Sequence, residues 1–204
     1  EKGRLKLHRS RRDDAEIRAS YLDELAASPL AAAISEGNVP WQYADARLIS
    51  DDPAKGLARD KELPAIADSL LEALGKPEKD VFIVSPYFVP SKWGMAALRD
   101  LTANNVKVTV LTNSLRATDV AAVHSGYARY RKDLLNAGVE LYEVKPDFAP
   151  PKIRDKGLTG SSATSLHAKT FVVDGKRVFI GSLNFDPRSA RLNTEMGMVI
   201  DHAG

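Results

Sequence analysis

His167 and Lys169 stand two residues apart at the head of an apolar run, in the stretch SLHAKTFVVDGKRVFIGSLNFDPRS of residues 165–189. Asp174-Gly175 closes the first apolar run, and Gly181-Ser182-Leu183-Asn184 follows the second. Side chains alternate faces along a strand, so His167, Lys169, Phe171 and Val173 are expected to share one face. Asp-Gly between two apolar runs is a tight-hairpin signal, and a tight turn lays the loop 181–184 beside His167 and Lys169. That gathers an imidazole, a fixed cation, a hydroxyl and an amide donor. The imidazole can serve as nucleophile or base. The other three suit a phosphoryl group, whose oxygens need several donors as charge develops. The stretch is either a hairpin with polar decoration or half of a catalytic site.

Two carboxylates lie near this set. Asp174 points away from the His167 and Lys169 face by strand parity. It also takes the first position of a type I′ turn, where Asp tolerates positive φ. Turn or supporting structure is therefore its expected role. Glu195, in NTEMG just before the last strand, is either a surface Glu or a partner for one imidazole nitrogen, which would leave the other free to attack. Arg188 can bind a phosphate bidentately or pair with Asp186. His124 follows Asp119 at a helix start, and is either a helix-surface histidine or a substrate contact.

The elements that must position these residues follow from periodicity. Residues 13–27 carry helical spacing through Ile17, Tyr21, Leu22 and Leu25. A short strand is expected over 46–49, a helix over 61–74 ended by Gly75, and a strand over 80–85. Then come a helix over 91–103 with Ser91 as N-cap, a strand over 106–111, a helix over 119–136 stopped at Gly138, and a strand over 139–144. Alternating strands and helices with short connections predict an α/β fold, with a mixed, largely parallel sheet and helices on both faces. Ligands in such sheets sit beyond strand carboxyl ends, where SPYFVP (85–90) and TNS (112–114) fall. Residues 145–165 read as a long loop, and the last strand spans 196–200. There is no internal repeat.

The 204 residues fit one domain or one domain plus an arm. A hydrophobic share of 44% and a mean hydropathy of −0.26 describe a globular chain. A net charge of +2 gives no global polyanion-binding signal. Locally, Lys2, Arg4, Lys6, Arg9, Arg11 and Arg12 run with no acid between them. This run is either a solvated arm or a dock for phosphate or anionic lipid. The absence of cysteine excludes disulfides and thiolate chemistry. No apolar run approaches the roughly 18 residues of a membrane span, and no secretory leader is read. A start at Glu1 without Met leads us to expect a fragment or a processed chain.

His167-x-Lys169, four residues, Asp174, six residues, Gly181-Ser182-x-Asn184 resembles the HKD motif of the phospholipase D superfamily, H-x-K-x4-D-x6-G-S-x-N, at all six named positions. NFDPRSARLNTE (184–195), SPYFVP and SGYARYRKDLLNAGVELYE resemble its bacterial cardiolipin synthase-like branch. The resemblance covers residues 80–204, and 41–74 loosely. It implies a phospholipase D-like half-domain over 41–204, preceded by a basic arm and helix over 1–40 that links to a missing N-terminal half.

The resemblance also implies a mechanism. A histidine attacks phosphorus to form a phosphohistidine, and a second histidine protonates the leaving alcohol and then activates water or an acceptor alcohol. By position His167 is the nucleophile or the acid/base, and Lys169 and Asn184 bind phosphate. Ser182 contacts phosphate or supports it, Glu195 orients the histidine, and Gly181 and Asp174 support the motif. No metal or cofactor is required. The implied substrate is a phospholipid such as phosphatidylglycerol, met at the bacterial cytoplasmic membrane surface by a peripheral protein. Synthase-type relatives carry two HKD motifs, and this chain holds one, because Lys follows none of His8, His124 or His202 at two residues. The other half-site is expected from an N-terminal half of the same parent chain or from a second copy. The alternatives are a one-motif homodimeric phosphodiesterase or nuclease, which has only the basic arm in its favour, and an isolated half-domain that binds phosphate or anionic lipid without turnover.

Overall fold

The computed structural model describes residues 23, 27–39, 41–57, 66–118, 120–144 and 166–202. The chain divides into two compact units, Glu1–Tyr43 and Ala44–Gly204. In the first, helix α1 spans Pro29–Ser35, where Ser28 accepts the Ala31 N–H at 3.1 Å and Pro29 opens the first turn. Ser-Pro is a cap-plus-N1 signal for a helix that hydrophobic periodicity does not predict. Most of the helix expected over 13–27, like the loop 145–165, lies outside the described residues.

In the second unit the apolar, β-branched runs become seven strands: β1 (Asp45–Ser50), β2 (Asp80–Val84), β3 (Lys107–Asn113), β4 (Glu140–Val144), β5 (Thr170–Val173), β6 (Arg177–Gly181) and β7 (Met196–Asp201). They form one sheet in the order β1-β7-β6-β5-β2-β3-β4. The α/β class and the mixed sheet are as expected. The parallel share is smaller than expected, since β2–β3 and β3–β4 pair parallel and the other four pairings are antiparallel. Direction is less mixed than pairing. Tracing the pairings, β1, β2, β3, β4 and β6 point one way, and only β5 and β7 oppose them. The carboxyl ends of five strands and the amino ends of two therefore meet at one end of the sheet.

The long helices are α2 (Ile66–Leu74), α3 (Ser91–Ala103) and α4 (Ala121–Asn136). Among the described residues they cover one sheet face, which corrects the expectation of helices on both. Ile66, Leu70 and Leu74 join Met95, Leu98, Tyr127 and Leu134 in a single core with Val81, Ile83, Val108, Val110, Phe171, Phe179 and Val199. The opposite face leaves Leu48, Phe82, Tyr142, Ile180 and Met198 exposed. The reason is topological. Crossovers share one hand, so successive crossovers that step in one direction, β2 to β3 to β4, put both helices on the same side.

Helix ends differ from expectation at one point. Pro90, not Ser91, is the cap of α3, and no side chain bonds its first turn. Ser91 has φ 57°, away from the extended conformation that a capping serine needs. The hairpin matches expectation. Asp174 and Gly175 have φ 56° and 66°, and the Lys176 N–H donates to Val173 O at 3.0 Å, a type I′ arrangement. Gly181 faces Gly197 across β6 and β7 with the Phe179 ring against both, so a Cβ at either would run into that ring and into backbone. Gly181→Ala is expected to cost about 1–3 kcal/mol of stability in a urea titration, through overpacking.

Candidate active site

The type I′ turn fixes Thr170 opposite Ile180, and the Gly181 N–H donates to Lys169 O at 3.2 Å. The loop 181–184 thus lies beside residues 167–169. Strand β5 starts at Thr170, so His167 and Lys169 stand just ahead of it rather than on its face. A side chain from another strand pins this lead-in segment. At the end of β3, Asn113 donates from Nδ2 to Leu166 O at 3.2 Å and accepts the Leu166 N–H on Oδ1 at 2.9 Å. The His167 imidazole is exposed, and Lys169 Nζ donates to the His167 carbonyl at 2.7 Å.

The loop after β2 braces the other side. Ser85 Oγ donates to Tyr87 O at 2.7 Å and accepts the Phe185 N–H at 2.9 Å. Val89 N–H donates to Phe185 O at 2.8 Å, and Phe88 stacks on Phe185 at 5.1 Å. Asn184 is held between, its Oδ1 buried with no hydrogen-bond partner.

Glu195 is buried and accepts a hydrogen bond from Ser182. Ser182 Oγ donates to Glu195 Oε2 at 2.5 Å and accepts the Met196 N–H at 3.1 Å. Asn193 Nδ2 donates to Glu195 Oε1 at 3.2 Å, and Arg188 Nε donates to Asn193 Oδ1 at 3.3 Å. Each Glu195 oxygen thereby accepts a hydrogen bond, one from Ser182 and one from Asn193. The Glu195 N–H donates to Asp51 Oδ2 at 2.9 Å, and the Asp51 N–H returns to Glu195 O at 2.8 Å. Lys55 Nζ meets Asp51 Oδ2 at 2.7 Å with both side chains almost fully buried. Asp51 Oδ1 also accepts the Ile66 N–H at 2.8 Å, at the start of α2.

This layout, a histidine and a lysine ahead of a hairpin with Ser182 and Asn184 closing on them, is set in a chain whose residues 70–204 match the family model described as "Cardiolipin synthase, PLD-like domain". The chain belongs to this family. It is 50% identical over 182 residues to cardiolipin synthase C of Escherichia coli (strain K12), covering 89% of this chain and 38% of that protein. It is 30% identical over 161 residues to cardiolipin synthase A of Pseudomonas aeruginosa (strain LESB58), covering 79% and 29%. The chain thus spans about a third of the length of these curated relatives. In fold it is similar to Nuc, a phospholipase D family member from Salmonella typhimurium (TM-score 0.52, 18% identity, 78% of this chain and 84% of that one). It is also similar in fold to phosphatidylserine synthase of Haemophilus influenzae Rd KW20 (TM-score 0.54, 16% identity, 77% and 34%).

Other residues of this PLD-like domain take places that differ from expectation. Arg188 does not pair with Asp186. The Asp186 carboxylate accepts the Arg188 and Ser189 N–H groups and caps helix α5 (Pro187–Arg191), a short helix that periodicity does not predict. His124 is buried on the edge of Tyr127, with ring centroids 5.5 Å apart. Asn113, Ser85, Asp51 and Lys55 hold the site together without belonging to the motif. Polar residues ending the apolar runs KVTVLTN and DVFIVS are the sequence signal for the first two. Asp51 and Lys55 offer no such signal, because Asp51 meets Glu195 144 residues away and Lys55 reaches Ser189 O 134 residues away.

Asp174 lies at the far end of β5 from His167. Its carboxylate accepts the N–H groups of Lys79 at 2.7 Å, Glu78 at 3.0 Å and Asp80 at 3.2 Å, and pairs with Arg177 at 3.1 Å. Burial alone would raise its pKa. The three N–H groups and the Arg177 charge outweigh burial and hold the carboxyl below its ordinary value. A depressed folded pKa gives stability that is present above the unfolded value and is lost as pH falls through the folded one. Asp174→Asn is therefore expected to lower stability at neutral pH and to flatten the acid limb of a stability-against-pH curve below about pH 4. Turnover at neutral pH should change little. An unaltered acid limb overturns the assignment.

Proposed function

We propose that this chain supplies one of two half-sites of a cardiolipin synthase-like enzyme, which transfers phosphatidyl groups between glycerophospholipids through a phosphohistidine. The observation that supports this most is the gathering of His167, Lys169, Ser182 and Asn184 at one end of the sheet, with His167 exposed to an incoming diester. In this reading the imidazole attacks phosphorus, a P–N bond forms and the P–O bond to the head-group alcohol breaks. A histidine from the other half-site protonates that alcohol. The acceptor alcohol then attacks, giving up its proton to the same histidine, and the P–N bond breaks. His167 can hold either of the two histidine roles.

Lys169 Nζ and the Asn184 Nδ2 amide group donate to the phosphoryl oxygens. Ser182 donates its hydroxyl proton to Glu195 and accepts the Met196 N–H, so it supports the phosphate site from behind. The exposed Arg188 reaches toward a lipid phosphate. No step calls for a metal or cofactor. The other half-site comes from an upstream half of the parent chain or from a second copy. The protein meets its substrate at a membrane surface, with the basic run from Lys2 to Arg12 against anionic head groups. Among the described residues no helix is long and apolar enough to cross a membrane.

The test is product analysis of the full-length parent protein with labelled phosphatidylglycerol vesicles. Diphosphatidylglycerol and free glycerol are expected. If neither diphosphatidylglycerol nor phosphatidic acid forms from any lipid mixture, the reading fails. Cleavage of DNA by this chain alone, eluting as a dimer, would replace it with a one-motif nuclease.

A further inference from the structure

Three connections at the end of the sheet that bears His167 each expose a large apolar side chain beside a cation. Lys92 and Trp93 lie in the first turn of α3 after β2, Leu115 and Arg116 follow β3, and Arg191 and Leu192 close α5 after β6. All six residues are exposed, and Trp93, Leu115 and Leu192 keep 59%, 57% and 60% of their accessible surface. Among the described residues, none of the three cations is in an ion pair.

Short contacts tie each pair to the surroundings of the motif. Gly94, next to Trp93, lies against the Phe185 ring, and a Cβ there would stand 3.0 Å from it. Phe185 follows Asn184. Leu115 comes two residues after Asn113, whose amide holds Leu166 ahead of His167. Leu192 precedes Asn193, which donates to Glu195, and Glu195 accepts from Ser182. The three pairs therefore share one end of the sheet with His167, on three separate connections.

The opposite end of the sheet is built differently. Its connections, 75–79, 104–106, 137–139 and 174–176, expose no large apolar side chain. Leu135, in the last turn of α4, is exposed on that side, but its neighbours are Leu134 and Asn136 and not a cation. Carboxylates are withdrawn from the surface at the His167 end. Asp51 and Glu195 are buried, and Asp186 caps α5. Asp52 is the exposed acid among the described residues of these connections.

Apolar side chains held out in water beside unpaired cations suit a charged lipid surface. At the boundary of a bilayer a Trp ring and leucine side chains enter the acyl border, while Lys and Arg lie level with anionic phosphates. A protein partner would have to bury three unpaired cations, and the cores of protein interfaces are depleted of charge. We propose that Lys92-Trp93, Leu115-Arg116 and Arg191-Leu192 form a docking surface for an anionic bilayer, which seats the His167 end of the sheet on the lipid. The proposal rests on the transfer reading above and names the part of this domain that meets the membrane. Three points on separate connections fix an orientation as well as an attachment. The phosphodiester of a bilayer lipid then lies on the same side as the imidazole.

The test uses the full-length parent protein and its triple variant Trp93→Ala, Leu115→Ala, Leu192→Ala. Affinity is read by sedimentation with phosphatidylglycerol vesicles. Turnover is read with those vesicles and with dihexanoyl phosphatidylglycerol dispersed as monomers. Vesicle affinity and vesicle kcat/KM are expected to fall about tenfold, while kcat/KM on the monomers is unchanged. A second triple variant, Lys92→Gln, Arg116→Gln, Arg191→Gln, should lose about fivefold in affinity per charge on phosphatidylglycerol vesicles and keep its weaker binding to phosphatidylcholine vesicles. Unchanged vesicle affinity in both variants overturns the surface. Equal losses on vesicles and monomers overturn it in favour of a contact with the other half-site. Wild-type protein that transfers from neither substrate overturns the transfer reading, and sedimentation alone then decides the surface.

Discussion

His167→Asn in the full-length parent protein is expected to lower kcat by about 10⁴-fold while leaving the fold intact. Either role for His167 gives this direction. As nucleophile it forms the P–N bond, and an amide cannot replace it. As acid and base it moves the proton in both half-reactions. The structural cost is small for a physical reason: the imidazole is exposed and, among the described residues, accepts and donates no hydrogen bond. Its segment is held by Asn113 through the Leu166 backbone and by Lys169 through the His167 carbonyl, and neither contact uses the ring. Urea unfolding should move by less than about 0.5 kcal/mol, as for a surface substitution. Asp174→Asn is the comparison, with stability lost and turnover kept. Equal losses of turnover in the two variants overturn the division of roles. A fall in kcat matched by a comparable loss of stability overturns it as well.

The second large effect falls on stability. Asp51→Ala is expected to cost about 3–5 kcal/mol, the usual consequence of removing one partner of a buried ion pair. Asp51 serves three groups at once: the Lys55 ammonium, the Glu195 N–H and the Ile66 N–H that begins α2. Without it the Lys55 charge is left unpaired at 8% side-chain exposure, and two backbone donors lose their acceptor. The double variant Asp51→Leu with Lys55→Met removes both charges and should recover part of the loss, a non-additivity that a double-mutant cycle reads directly. A loss below about 1 kcal/mol in the single variant, with m unchanged in urea, would show that the pair is not the anchor of this corner. Because Asp51 holds the Glu195 backbone and Glu195 holds Ser182, the same variant should disturb Ser182 as well.

What is legible in the sequence is local or periodic. The spacing from His167 to Asn184 is read along one hairpin, and Asp174-Gly175 announces that hairpin, so the neighbours of His167 across it follow from short-range spacing alone. Runs such as DVFIV and KVTVLTN announce their strands, and the observed strands lie within two residues of the expected ends. Asp174 is separable from the chemistry by parity and turn type, because both are properties of a few adjacent residues.

The remainder depends on contacts between distant segments. The motif, its hairpin and the α/β class each follow from side-chain types at fixed short spacing. Packing between distant segments sets Glu195 against Ser182, Asn113 against the lead-in to His167, Asp51 and Lys55 beneath the Glu195 corner, and His124 in a buried place with Nδ1 unpartnered. It also decides that the helices cover one face of the sheet. Strand order governs which faces are covered and which ends meet, and strand order is set by the packing of the whole core, which no local pattern of residues encodes.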